Sequence, residues 1–178
     1  MGEGQSDQEF EALVELHYGP LYRFALSLTR TETDASDLTQ ETFRVWAIKG
    51  HQLQERTRAK SWLFTTLHRL FLESRRRHMR FPHLGLEEVS HEIPSVDPNV
   101  VNGLDGGQIV GLLARVDAQF RAPVALFYLE DCSYKEIAEI LEIPLGTVKS
   151  RIARGLIQLK QLLLADAAVA GVNREAKS

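Results

Sequence analysis

The sequence predicts an all-α protein of two small helical domains joined by a flexible linker. Three observations carry that expectation. Apolar residues recur at three- and four-residue spacing through most of the 178 residues, and no run alternates as a strand would. One stretch, 81–107, holds three of the six prolines (Pro82, Pro94, Pro98) and four glycines (Gly85, Gly103, Gly106, Gly107), the composition of a tether. The blocks on either side, 1–80 and 108–165, are each large enough for one small core and too small to be more than marginally stable alone. A tail, 166–178, follows.

In chain order, Phe10, Leu13, Val14, Leu21, Phe24, Ala25 and Leu28 write one buried face of a first helix. Gly19-Pro20 interrupts it and predicts a kink or short break. Asp34 is the expected N-cap of the next helix, with Asp37 three residues on as its box partner. That helix carries Leu38, Thr42, Phe43, Val45 and Trp46 and should stop near Gly50. Residues 51–60 read as a loop. Ser61 is the expected cap of a long helix from Trp62 to about Arg77, with Leu63, Leu67, Leu70 and Phe71 inward. The tether after it has an extended reach of roughly 90 Å at about 3.3–3.6 Å per residue. Beyond it Ile109, Leu112, Leu113 and Val116 form one apolar stripe, and Val124, Ala125, Phe127, Tyr128 and Leu129 a second. The Ala-rich tail extends the last helix or frays.

A net charge of −3 hides strong segregation. Residues 1–22 hold five acids and no Lys or Arg, and 81–114 again hold only acids. Between them, 69–80 hold five arginines, and 143–165 carry Lys149, Arg151, Arg154 and Lys160 with no acid. Two basic segments separated by an acidic one are the footprint of a polyanion partner.

Other classes of protein fit poorly. The acidic start lacks the basic-then-apolar pattern of a secretory signal, and no stretch approaches the ~20 apolar residues of a membrane span. The expectation is a cytoplasmic protein with no membrane insertion. A lone Cys132 builds neither a disulfide framework nor a metal cage, and it reads as an inert, partly buried thiol. The six histidines lack metal-ligand spacing, and neither a Gly-rich phosphate loop nor a Ser-His-Asp constellation can be placed. No metal, no cofactor and no enzymatic activity are therefore expected. Trp46 and Trp62 read as core residues.

The most specific pattern is Ser133-Tyr134-Lys135-Glu136-Ile137-Ala138 through Glu142-Ile143-Pro144 to Leu145-Gly146-Thr147-Val148-Lys149-Ser150-Arg151. Ser133 with Glu136 forms a capping box that opens one helix. Pro144 cannot continue that helix and is tolerated at the start of another. Ile137, Leu141, Ile143 and Val148 supply a small core. The result is a helix-turn-helix. Its second helix offers Thr147, Lys149, Ser150, Arg151 and Arg154, an inventory suited to phosphates and major-groove base edges.

These residues resemble region four of the extracytoplasmic-function sigma factors, bacterial initiation subunits of RNA polymerase in the sigma-70 family. Their Tyr-Glu-Glu-Ile-Ala and Gly-Thr-Val-Lys-Ser-Arg runs are matched by Tyr134–Ala138 and Gly146–Arg151. LuxR-type regulators share much of that pattern. The N-terminal half decides, because Asp34 to Trp46 resembles the region two signature Asp-Ala-Glu-Asp-Leu-Val-Gln-Glu-Thr-Phe, and Trp62-Leu63-Phe64 opens an Arg-rich helix as in the family.

The resemblance implies a protein that directs promoter-specific initiation. Its partners would be core RNA polymerase, promoter DNA and an anti-sigma factor, which in some cases tethers such proteins to the inner membrane face. Asp34, Asp37, Gln40 and Glu41 would meet polymerase. Arg56, Arg58, Lys60, Arg69, Arg75, Arg76 and Arg77 would hold the −10 element, around a flipped base received by the loop 50–60. Thr147, Lys149, Ser150, Arg151 and Arg154 would read the −35 element. The chain departs from the family at Arg69 (often Asn), Glu73 (Asp), Glu142 (usually Gly) and at Val116–Phe120, where a Leu-Pro opening is usual. Two other readings remain open: a helix-turn-helix regulator acting without polymerase, and a sigma mimic that sequesters an anti-sigma factor.

Overall fold

Every regular element is helical among the residues described by the computed structural model, 3–78 and 105–175. The order is α1 (Glu3–Thr29), α2 (Glu32–Lys49), two single 3-10 turns (Gly50–Gln52 and Arg56–Arg58), α3 (Ala59–His78), α4 (Gly106–Leu113), α5 (Ala118–Leu129), α6 (Tyr134–Leu141) and α7 (Leu145–Glu175). The all-α class and both helical domains are as the sequence predicts.

Several boundaries differ, each for a physical reason. Helix α1 runs through Pro20 without the predicted break. The carbonyl that Pro20 leaves without its helical donor belongs to Leu16, which is exposed to water. Phe10, Leu13 and Val14 before Pro20, and Leu21 and Phe24 after it, all pack on the core and carry the helix through it. Helix α2 starts two residues before Asp34, with Thr31 as the N-cap. Thr31 Oγ1 accepts from the Asp34 amide at 3.2 Å and donates to the Asp34 carboxylate at 2.6 Å, so Asp34 braces the cap instead of being it, and the predicted box with Asp37 does not form. Arg30 fixes that register by its positive φ of 67°, which reverses the chain just ahead of Thr31. Helix α3 starts at Ala59 rather than after Ser61, because buried Ala59 already belongs to its packed first turn. Asp105 and Gln108 form a capping box on α4, so residues 105–107 open the second body instead of ending the tether. The rest of the predicted linker, 79–104, lies outside the described residues. Pro123 sits inside α5, and α7 carries on into the tail as far as Glu175.

In the first body α1 packs along α2 and α3, with Phe24 and Phe64 in ring contact at 5.4 Å between centroids. In the second, α5 packs on α7 and α6 on both. Two glycines mark close approaches. A Cβ at Gly155 would come within 2.5 Å of Val124 Cγ2, and one at Gly50 within 2.6 Å of the Trp46 ring. The sequence reading placed the two bodies apart on a tether. The structure instead packs α1 against α4 and α5, and α3 against α6, in one hydrophobic cluster that runs from Leu21 to Leu159.

Candidate functional site

Helices α6 and α7 meet at the predicted helix-turn-helix. Ser133 Oγ accepts from the Glu136 amide at 3.3 Å while the Glu136 carboxylate accepts from the Ser133 amide at 2.7 Å, which completes the capping box. Glu142 ends α6 in the left-handed region, φ 56° and ψ 43°. A side chain there costs about 1 kcal/mol that glycine avoids. Ile137, Ile140, Leu141, Val148 and Ile152 are buried and set the angle between the helices. On the second helix Lys149 is exposed, while Thr147, Ser150, Arg151 and Arg154 are half-buried. Ser150 Oγ donates to the Thr147 carbonyl at 3.1 Å. Burial draws the Arg151 guanidinium below its usual pKa.

The residues predicted to meet polymerase share the outer face of α2. Asp34, Asp37 and Gln40 are exposed and Glu41 is half-exposed. Gln40 donates to Ser36 Oγ at 3.2 Å, and Arg44 grips the Glu41 carboxylate with two bonds of 2.7 and 2.6 Å. That pairing holds the Glu41 carboxyl below the ordinary carboxylate range. Phe43 and Trp46 are buried beneath, Trp46 as the sequence predicts, and it meets Trp62 edge-on at 5.0 Å, while Trp62 is only partly buried against that core.

The seven cations assigned to the −10 element do not form one cluster. Arg56 and Arg58 lie on the second 3-10 turn, paired with Glu9 at 2.6 Å and Glu55 at 3.8 Å. Arg75, Arg76 and Arg77 lie at the far end of α3, about 22–26 Å from Lys60 at 1.5 Å per helical residue. There Arg75 covers the Phe71 ring at 5.8 Å and Arg77 approaches Glu73 at 3.8 Å. The other two, Lys60 and Arg69, reach across to the second body. Lys60 Nζ donates to the Glu130 carbonyl at 2.8 Å. Arg69 makes a two-pronged pair with Glu142, at 3.0 and 2.5 Å.

Three residues at that junction escaped the sequence reading. Glu130 is buried, and Arg23 Nη2 donates to its carboxylate at 3.4 Å. Burial pushes this carboxyl up, against the pull of Arg23 and Lys60. His68, between Glu142 and Arg151, is pushed down to about 4, chiefly by burial and further by Arg151, with Glu142 opposing. The only sequence signal was a charged residue within or just after an apolar run. Cys132 is buried with its thiol pushed up to about 11, mainly by burial, which fits the inert thiol predicted.

Residues 13–81 match the family described as Sigma-70 region 2, and residues 107–159 match Sigma-70, region 4. That order of domains, with the helix-turn-helix second, is the make-up of the sigma-70 class. Among curated relatives, the ECF RNA polymerase sigma factor SigL of Mycobacterium tuberculosis is 35% identical over 79% of this chain and 81% of its own length. SigE of Mycolicibacterium smegmatis is 34% identical over 91% of this chain, and the match spans 64% of that longer relative. The chain belongs to the ECF RNA polymerase sigma factor family. Among solved structures, the sigma factor RpoE of Bartonella quintana, crystallised with the anti-sigma factor NepR, superposes with a TM-score of 0.67 at 28% identity, over 89% of this chain and 99% of that one. CnrH, in complex with the cytosolic domain of CnrY, shares the fold with a TM-score of 0.61 at 24% identity, over 90% of each chain. No helix among the described residues is long and apolar enough to cross a membrane.

Proposed function

We propose that this chain lends promoter recognition to core RNA polymerase and performs no bond chemistry of its own. The outer face of α2, with Asp34, Asp37, Gln40 and Glu41, docks on polymerase. Arg56, Arg58, Lys60, Arg69 and Arg75–Arg77 hold phosphates around the −10 element as it opens. Thr147, Lys149, Ser150, Arg151 and Arg154 enter the major groove of the −35 element. Residues 3–78 form the first recognition body and 105–165 the second, and an anti-sigma factor restrains both. The last point leans on the RpoE–NepR complex, a similar protein bound by such an inhibitor.

The observation that carries this reading is a region 2 body whose exposed acidic α2 face precedes a capped helix-turn-helix bearing cations on its second helix. Phosphate contacts by those cations make duplex binding fall steeply with salt.

Run-off transcription from a random promoter library with purified core polymerase tests it. Transcripts that depend on this chain support the reading. Duplex binding without transcripts would instead favour a regulator independent of polymerase, and anti-sigma binding without either would favour a mimic. Arg151→Ala should change which upstream elements are selected and leave polymerase binding intact; unaltered selection would remove Arg151 from the reading surface.

A further inference from the structure

Arg30, Arg75 and Arg121 come from three different elements to one corner of the molecule. Arg30 directly follows α1, and its amide closes that helix on the Leu26 carbonyl at 2.9 Å. Its side chain is exposed, and its φ of 67° lies where glycine or asparagine is ordinarily found, so an arginine is held there against a backbone cost. Arg121 stands in the first turn of α5, which packs on α1, and its Nε donates to the Val116 carbonyl at 2.7 Å. Arg75 lies over the Phe71 ring at 5.8 Å, and that ring packs on the core. These anchors spend one of the five donors of Arg121 and none of those of Arg75. Among the described residues, no carboxylate comes within 4.0 Å of any of the three guanidiniums. Burial, then Arg30 and Arg75, draw the Arg121 guanidinium below its usual pKa, and Asp117, itself bonded to Gln158 at 2.7 Å, opposes them. Three like charges held so close concentrate positive potential at that corner.

We infer that Arg30, Arg75 and Arg121 form a binding site for a compact oligophosphate anion, either free or carried on a nucleotide. Guanidiniums take phosphate oxygens two at a time, and anchored ones lose little freedom in doing so. An oligophosphate gathers enough negative charge in one short chain to neutralise all three, whereas a duplex spreads its charge along the backbone. Arg75 is also among the residues proposed to hold −10 phosphates, so ligand and duplex compete for it. Arg30 and Arg121 belong to the oligophosphate site alone. The site exists only while α1 and α5 are packed together, so its ligand stabilises the folded chain as ligand concentration rises. It stands whether or not the chain directs transcription.

Titration calorimetry of the full chain with inorganic tripolyphosphate, at low salt and without magnesium, tests the site. One saturable site per chain is expected, together with a rise in Tm. Arg30→Gly removes a guanidinium and suits the left-handed backbone, so it should fold at least as well as wild type and bind about ten-fold more weakly. Arg121→Gln should weaken binding by a similar factor. Lys49→Gln removes the same charge at the other end of α2, about 27 Å away at 1.5 Å per residue, and should change affinity by about two-fold or less. Replacing tripolyphosphate by ATP separates the two sources. Equal or tighter binding of ATP names a nucleotide, weaker binding names a free oligophosphate, and both support the site. Absence of saturable binding, or an equal loss in Lys49→Gln and Arg30→Gly, overturns it. Weakened binding of a mixed-sequence duplex by Arg30→Gly, with no binding of tripolyphosphate to wild type, also overturns it and gives Arg30 to DNA.

Discussion

The outer face of α2 and the seam between α3 and the second body pair their polar groups in opposite ways. On α2 the partners are neighbours on one helix, Glu41 with Arg44 and Gln40 with Ser36, and the face stays open to solvent. At the seam Arg23 pairs with Glu130, 107 residues away, and Arg69 with Glu142, 73 residues away. Local pairing keeps a surface available, whereas long-range pairing covers one. The α2 face is thus open in the free chain, while Lys60 and Arg69 are engaged across the two bodies.

The contrast can be broken most severely from below. Phe64 is fully buried and meets Phe24, so it supports both the α2 face and the seam. Phe64→Ala should cost about 3–5 kcal/mol and lower Tm by roughly 10 °C. Polymerase and duplex binding should fall together, measured by thermal melting and by binding to each partner. Loss of one with the other intact would show two independent cores.

Acid should act on the seam alone. Burial holds His68 down to about 4, with Glu142 raising it and Arg151 lowering it further, and separation of the bodies should return it toward its usual 6.5. The separated form therefore binds more protons between those values, and docking weakens as pH falls through that window, by ~3 kcal/mol at most. Glu130 acts in the opposite sense, since its raised carboxyl takes up a proton more readily when docked. His68→Gln isolates the effect: energy transfer between dyes on the two bodies should fall with acid more steeply in wild type than in this variant. Identical pH profiles would remove His68 from the seam.

Smaller changes sharpen the comparison within each surface. Ser133→Ala removes the cap of α6 and should cost about 1 kcal/mol, with weaker duplex binding and unchanged polymerase binding. Glu41→Gln should leave Tm unmoved, since an exposed pair within one helix contributes little. It should still weaken polymerase binding, measured by titration, if the α2 face is the docking surface.

Both surfaces were readable in the sequence wherever the governing interaction is local. The Ser133–Glu136 box lies within three residues, and the helix-turn-helix follows from it, from Pro144 and from the spacing of Ile137, Leu141 and Val148. The α2 face came from the resemblance of Asp34–Trp46 to the region two signature, which implies Leu38, Phe43 and Trp46 inward and Asp37 and Gln40 outward. Where two neighbouring residues suit one role, local rules fail. Thr31 and Asp34 are both good caps, and the left-handed Arg30 decides between them. Pro20 reads as a break because its cost is local, whereas the packing on either side that carries α1 through it is not. The seam was invisible for the same reason. Arg69 and Glu142 each stood out as a departure from the family, but nothing in a linear reading joins residues 73 positions apart.

Run-off transcription with purified core polymerase, with and without this chain, tests the central claim most directly. Transcripts that appear only when the chain is present are the predicted result. Transcripts that form equally well without it would contradict a chain that lends promoter recognition to the enzyme.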